Sequence, residues 1–130
     1  MKRKTVEELL AEARSRIDRV GPEEAALEAE RDGALLVDIR SEAHRERDGV
    51  IPGAMFHPRS VLEWRMDPTS GHADPAVGGL DRRVILVCDE GYQSSLAAAN
   101  LRELGFARVA DLVRGFQAWR DAGLPVEPAS

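Results

Sequence analysis

The sequence predicts an α/β fold, with a central parallel sheet of about five strands and helices on both faces. Residues 34–37 and 84–87 are short, unbroken apolar runs, a pattern typical of strands that are buried on both faces. Helical patterns alternate with the strand patterns along the chain, and this alternation is typical of parallel sheets. The 130 residues are enough for one domain with its own hydrophobic core.

The first part of the chain has a helical pattern. A T-x-x-E capping box starts an amphipathic helix, and its apolar spacing continues to Val20. Pro22 is well placed as the first residue of a second helix, which an Asp-Gly pair stops. We expect residues 1–33 to form a helical extension that packs on a domain of residues 34–130, as parts of a single domain overall.

The stretch after the first strand is polar and is interrupted by turn residues. A short helical turn ends at Gly49, and residues 50–56 form a turn that enters another strand. A second capping-box pattern, Ser60 with Glu63, predicts a short helix. Residues 67–81 have no periodicity, and we expect them to be either a flexible excursion or a lid.

The second half of the chain has the clearest alternation of strands and helices. Residues 84–87 predict a central parallel strand, and Cys88 ends it. An Ala- and Leu-rich helix over residues 96–104 and a strand over residues 109–113 follow. The last helix begins at Gly115, and its aromatic side chains are expected in the core.

Composition and charge argue against several classes of function. The formal net charge of -5 argues against a nucleic-acid partner, because phosphate-binding surfaces carry an excess of Lys and Arg. The basic residues at the start are not followed by the apolar run of a signal peptide, and the composition suggests no membrane span. We therefore expect a cytoplasmic protein without a membrane partner. The histidines have no metal-ligand spacing, so no metal site is expected.

Cys88 is the only cysteine and cannot form an internal disulfide. It lies at the end of a predicted strand, where binding sites gather in open α/β sheets. Gly91 can adopt the positive φ that a tight loop needs, and inward N–H groups beside a helix N-terminus stabilise negative charge on a sulfur. These features favour a nucleophilic thiol. The alternative is a small hydrophobe at the end of a core strand.

Four motifs, in the family's order, resemble those of single-domain rhodanese-like proteins from about residue 34 to residue 126. They are the strand ending in Asp38-Ile39-Arg40, the turn at residues 49–54, the cysteine loop that follows residues 84–87, and the ending at residues 115–126. The resemblance implies the rhodanese-like α/β fold and a sulfurtransferase activity.

In this family the cysteine takes a sulfane sulfur from a donor, such as thiosulfate or a persulfide, and passes it to a thiol or cyanide acceptor. The resemblance implies that Cys88 is the nucleophile. It also implies that no cofactor is needed. The expected partners are a small sulfur donor and a thiol or cyanide acceptor, and a protein could serve as the donor or as the acceptor. The persulfide-binding loop would consist of Asp89, Glu90, Gly91, Tyr92, Gln93 and Ser94.

The length of the loop separates the branches of the family. Cys88 and the five residues after it match the count in the family's sulfurtransferases. The phosphatase and arsenate-reductase branch has one residue more and needs an arginine, whereas Ser94 stands at that place here. The main alternative is a catalytically idle module whose acidic loop docks a basic partner, and a phosphatase or arsenate reductase ranks below it.

The loop departs from the family pattern in its charge. Many rhodaneses have arginines where Asp89 and Gln93 stand in this chain. Together with Glu90, Asp89 brings two negative charges to the mouth of the loop, and these should repel thiosulfate. Thiosulfate should therefore be a poor donor unless a cation neutralises these charges.

Three arginines are candidates for that neutralisation. We hypothesise that at least one of Arg40, Arg59 and Arg65 pairs with an acidic residue of the loop. The alternative is that they are solvated surface residues. For Arg40 a separate alternative is a structural ion pair with Asp38 that orders the loops at the strand ends.

Overall fold

The computed structural model describes residues 2–129, and its centre is a five-stranded parallel sheet. The strand order is β1-β5-β4-β2-β3. The α/β class and the parallel sheet of about five strands are therefore confirmed. The strands are β1 (Asp18–Val20), β2 (Leu35–Asp38), β3 (Met55–Phe56), β4 (Val84–Val87) and β5 (Val109–Leu112).

Six α-helices and two short 3-10 turns surround the sheet within residues 2–129. The 3-10 turns are Arg59–Val61 and Pro75–Val77. The helices are α1 (Val6–Arg14), α2 (Pro22–Arg31), α3 (Glu42–Asp48), α4 (Leu62–Met66), α5 (Gln93–Glu103) and α6 (Gly115–Asp121). None of these helices combines the length and the apolar character needed to cross a membrane.

The central strand β4 is buried on both faces, as its apolar run predicts. Val84 and Leu86 point into one core cluster, which includes residues of α4 and α5. Ile85 and Val87 point into a second cluster with Trp119 of α6 and residues of α2. The predicted core position of Trp119 is confirmed.

The sheet order brings three strand ends together. β4 lies between β2 and β5, with Asp38 beside Val87 and Asp111 beside Leu86. Because all three strands are parallel, their carboxyl ends lie at one edge of the sheet, and Cys88 follows directly after β4.

The prediction of a helix that continues to Val20 is wrong. Helix α1 ends at Arg14, and Val20 lies in β1 beside Leu112 of β5. Val20 is buried in the core between the sheet and α2. The position of Val20 in the sequence continues the helical spacing of apolar residues, but its side chain is buried because Val20 lies in a strand of the sheet.

The capping box predicted at Ser60 is also wrong. Ser60 lies in a 3-10 turn, and α4 begins at Leu62 without a side-chain cap. The carboxylate of Glu63 instead accepts two hydrogen bonds from Arg59 Nη1, at 2.8 and 2.9 Å. In a capping box the carboxylate of Glu63 would accept a hydrogen bond from the backbone N–H of Ser60. Here the i,i+4 ion pair with Arg59 occupies that carboxylate.

Residues 67–81 are anchored at several points. Asp74 lies 2.9 Å from the Nε2 atom of His57, and its N–H donates to the carbonyl of Arg65. Val77 is buried in the core. None of residues 67–81 lines the cleft at Cys88, so this segment is no lid over that cleft in the structure.

Candidate active site

Cys88 lies at the bottom of an open cleft of about 750 Å³ and is only 3% exposed. One wall of the cleft comes from the segments that follow β2 and β3, and the other comes from the loop after β4 and the start of α5. The lining residues in the first group are Ile39, Arg40, Ser41, His44, Pro58, Arg59 and Ser60, and those in the loop are Asp89, Glu90, Tyr92 and Gln93.

The loop curls around the sulfur of Cys88. The N–H groups of Gly91 and Ser94 donate to Cys88 Sγ, at 3.1 and 3.3 Å. The N–H groups of Glu90, Tyr92 and Gln93 have no hydrogen-bond acceptor within residues 2–129. The loop therefore holds the sulfur with two donors and has further donors available for an atom bound to that sulfur.

Two glycines permit this curl. Gly91 has a φ of +87°, and a Cβ atom there would lie 2.5 Å from the backbone nitrogen of Arg114. Gly115 has a φ of +56°, and its Cβ would collide with the carbonyl oxygen of Cys88. Only glycine fits at either place without movement of the loop.

The start of α6 supports the other side of the loop. The Phe116 N–H donates to the carbonyl of Cys88 at 2.8 Å, and the Gln117 N–H donates to the carbonyl of Asp89 at 3.2 Å. The N–H groups in the first turn of a helix have no acceptor inside the helix, and here two of them bind the carbonyls of Cys88 and Asp89. The last helix thus fixes the backbone that presents the thiol.

A buried polar network lies beneath the loop. Asp111 is fully buried in β5, and its Oδ2 accepts hydrogen bonds from the hydroxyls of Ser94 and Ser95, at 2.8 and 2.7 Å. Arg19 of β1 pairs with the same carboxylate at 2.9 Å. Because a buried carboxylate needs several partners, this network fixes the first turn of α5 relative to the sheet.

The hypothesis that Arg40, Arg59 or Arg65 neutralises the loop is wrong. Arg40 is buried and forms a two-pronged ion pair with Asp38, at 3.0 and 2.8 Å. Its guanidinium also stacks on the ring of Phe116. Arg40 and Asp38 therefore have a structural role, which was the alternative.

The other two arginines also have different partners. Arg59 pairs with Glu63 of its own helical segment. Arg65 donates to the carbonyl of His72. Both acceptors are close in the sequence: Glu63 is four residues from Arg59, and His72 is seven residues from Arg65. Each arginine therefore reaches a local acceptor rather than the loop.

The two acidic residues of the loop differ in their surroundings. Asp89 accepts a hydrogen bond from Gln117 Nε2 at 2.8 Å, and Arg47 lies 3.7 Å away. Glu90 is exposed and has no ion-pair partner within residues 2–129. One of the two predicted negative charges is therefore screened by α3 and α6, and the other is not.

The group that screens Asp89 also holds a second carboxylate. Asp48 accepts hydrogen bonds from Arg47 and from Gln117 Nε2. The hydrogen bond from the Arg47 guanidinium lowers the pKa of Asp48 to about 2, and Gln117 and Arg120 add to the effect.

The residues that support the loop of Cys88 were not among the predicted site residues. Asp111 was detectable, because an acidic residue inside an apolar strand needs buried partners. Arg14 and Arg19 carried no such signal. They contact the loop only because α1 packs on α5 and β1 pairs with β5.

Comparisons with known proteins agree with this geometry. A model of the rhodanese-like domain family matches residues 21–122. A sulfurtransferase of Allochromatium vinosum is 35% identical over 98 residues, which are 75% of this chain and 82% of that protein. The thiosulfate sulfurtransferase GlpE of Actinobacillus pleuropneumoniae serotype 7 is 32% identical over 110 residues, which are 85% of this chain and 93% of that protein.

A solved structure from Rhodopseudomonas palustris is similar over almost the whole chain. It has a TM-score of 0.88 and 35% identity, and the match covers 98% of this chain and 97% of that one. That protein is described as being of unknown function and a possible tyrosine phosphatase. On the family match and the related sulfurtransferases, the chain belongs to the rhodanese-like domain family.

Proposed function

We propose that this protein is a sulfurtransferase that carries a sulfane sulfur on Cys88. The observation that carries the proposal is the cradle of N–H groups around Cys88 Sγ at the end of the central strand. Its relatives in A. vinosum and A. pleuropneumoniae are named sulfurtransferases, which supports the same class of reaction. The cradle stabilises an anionic sulfur, so no neighbouring base is required.

The reaction has two displacement steps. The Cys88 thiolate attacks the outer sulfur of a donor; a Cys88–sulfur bond forms, the donor's own bond to that sulfur breaks, and the rest of the donor leaves with the electron pair. A thiolate or cyanide acceptor then attacks the outer sulfur of the Cys88 persulfide. The bond to Cys88 breaks, and Cys88 is again a thiolate, without net oxidation of the protein.

Phosphate-ester hydrolysis is the less favoured reaction. Transfer of a phosphoryl group needs cationic groups aimed at its oxygens. The hydroxyl of Ser94, at the end of the loop, donates instead to the buried Asp111. The two arginines that line the cleft, Arg40 and Arg59, are paired with carboxylates.

The charges of the cleft favour a donor other than thiosulfate. Glu90 at the rim has no ion-pair partner within residues 2–129, whereas the two arginines of the lining, Arg40 and Arg59, each form an ion pair with a carboxylate. A doubly charged donor meets repulsion there, and a neutral or cationic persulfide does not. We therefore propose a low-molecular-weight or protein-bound persulfide as the preferred donor.

The test is a comparison of donors by intact-protein mass spectrometry. The reduced protein is incubated with thiosulfate or with a low-molecular-weight persulfide, and the mass of one added sulfur is measured. We expect the addition at Cys88, faster with the persulfide, and none in the Cys88→Ser variant. Absence of added sulfur with every donor, while the thiol still reacts with an alkylating reagent, would refute the proposal. Turnover of a phosphate ester that Cys88→Ser abolishes would favour the phosphatase instead.

A further inference from the structure

Two arginines that precede the family match reach the loop of Cys88. Arg14 ends α1, and its Nη2 atom donates to the carbonyl of Gly91 at 2.9 Å while its Nε donates to the Ser95 hydroxyl at 3.0 Å. Arg19 of β1 donates to the same Gly91 carbonyl at 3.0 Å. The family match begins at residue 21, so both contacts come from a segment outside it.

These contacts determine the direction of one peptide unit. The peptide between Gly91 and Tyr92 is trans, and in a trans peptide the C=O and N–H groups point in opposite directions. With the Gly91 carbonyl held by two guanidinium groups on one side of the loop, the Tyr92 N–H points to the other side. That N–H has no acceptor within residues 2–129.

We propose that Arg14 and Arg19 are positioning residues that orient the Tyr92 N–H toward the outer sulfur of the Cys88 persulfide. The inference rests on the proposed sulfurtransferase function. Two cations on the carbonyl also polarise the peptide, which makes its N–H a stronger donor to an anionic sulfur. The segment before residue 21 thereby contributes to the site without touching the substrate.

The N–H groups that bind the reduced thiol differ from the N–H group that we assign to the outer sulfur of the persulfide. Cys88 Sγ is held by the N–H groups of Gly91 and Ser94, and neither belongs to the Gly91–Tyr92 peptide that Arg14 holds. The Ser95 hydroxyl, which Arg14 also contacts, still donates to Asp111 when Arg14 is replaced. Loss of the Arg14 contact should therefore weaken the binding of the outer sulfur and leave the reactivity of the reduced thiol unchanged. A merely structural role would change both or neither.

The experiment measures the equilibrium of sulfur transfer onto Cys88. Each variant is mixed with a low-molecular-weight persulfide and its parent thiol at fixed ratios, and the persulfidated fraction is read by mass spectrometry. For Arg14→Gln we expect an equilibrium constant about tenfold lower, the scale of one charge-assisted hydrogen bond. The rate at which the reduced Cys88 is alkylated, measured across pH, should match that of the unchanged protein.

Arg16→Gln is the matched control. Arg16 lies on the same segment, is exposed, and within residues 2–129 forms one ion pair, with Glu103 at 3.8 Å. It should keep the original equilibrium constant. Arg14→Lys keeps the charge but has a single ammonium group, so we expect an intermediate loss of about threefold.

Three results would overturn the inference. One is an unchanged equilibrium constant in a folded Arg14→Gln variant, or in Arg14→Lys where Arg14→Gln does not fold. Another is an alkylation profile that shifts together with the equilibrium, because Arg14 would then act on the thiol itself. If the unchanged protein gains no sulfur at all, the proposed function fails and this inference fails with it.

Discussion

Replacement of Gly115 by alanine should damage both the stability of the fold and the site. The new Cβ would lie 2.8 Å from the carbonyl oxygen of Asp89 and would also collide with the carbonyl of Cys88. The backbone there has a φ of +56°, which costs an L-residue roughly 1 to 2 kcal/mol. Displacement of the loop would also break the hydrogen bonds from Phe116 and Gln117, each contributing roughly 1 kcal/mol. The expected loss in the free energy of unfolding is about 3 to 4 kcal/mol.

The chain offers a matched control at Gly123. This residue also has a positive φ, +75°, but a Cβ there would meet no atom within 4 Å. Gly123→Ala should therefore lose only the roughly 1 to 2 kcal/mol of backbone strain. Urea unfolding gives both free energies, and the alkylation rate of Cys88 should change in Gly115→Ala alone. Equal losses in the two variants, with equal alkylation rates, would refute the idea that contact with the loop makes Gly115 necessary.

Three further changes test the surroundings of the loop. Asp111→Asn should lower the free energy of unfolding by about 2 to 3 kcal/mol, because it breaks a buried ion pair; a loss in urea unfolding near zero would contradict the role of that network. Glu90→Gln should raise kcat/KM for thiosulfate by roughly threefold to tenfold at low salt, and less at high salt, while a neutral persulfide donor shows no change; an equal gain for both donors would contradict the charge argument. Asp48 has a pKa lowered from its ordinary 3.8 to about 2, so it stabilises the folded state above its unfolded pKa, and this contribution is lost as the pH falls from about 4 to about 2. The gap in unfolding free energy between the unchanged protein and Asp48→Asn should accordingly be present at neutral pH and close over that range; a gap that persists below it would contradict the pairing with Arg47.

Much of the fold was predictable because its strands and turns are encoded locally. The buried strand at residues 84–87, the thiol after it and the helix that follows need only neighbouring residues to be recognised. Strand β1 was not recognisable in this way. It is three residues long, has one buried side chain, and exists because β5 lies beside it.

Partners of charged side chains were harder to predict than strands. Arg40, Arg59 and Arg65 lie in segments that follow β2 and β3, but each binds an acceptor that is closer to it in the sequence than the loop is. The cation that does approach Asp89 is Arg47, at the end of α3. Ion pairs depend on side-chain reach in three dimensions, and one sequence carries little information about that.

The pairing of β1 with β5 also has a consequence for the order in which the protein is made. Arg19 and Asp111 are 92 residues apart in the chain, and the loop at Cys88 depends on both as well as on α6. A ribosome releases the chain from its N-terminus, so the thiol emerges before Asp111, Phe116 and Gln117 are available to fix its loop. During that interval Cys88 lacks its finished cradle, and any sulfur loading that depends on the cradle must wait until the last helix has been synthesised and packed.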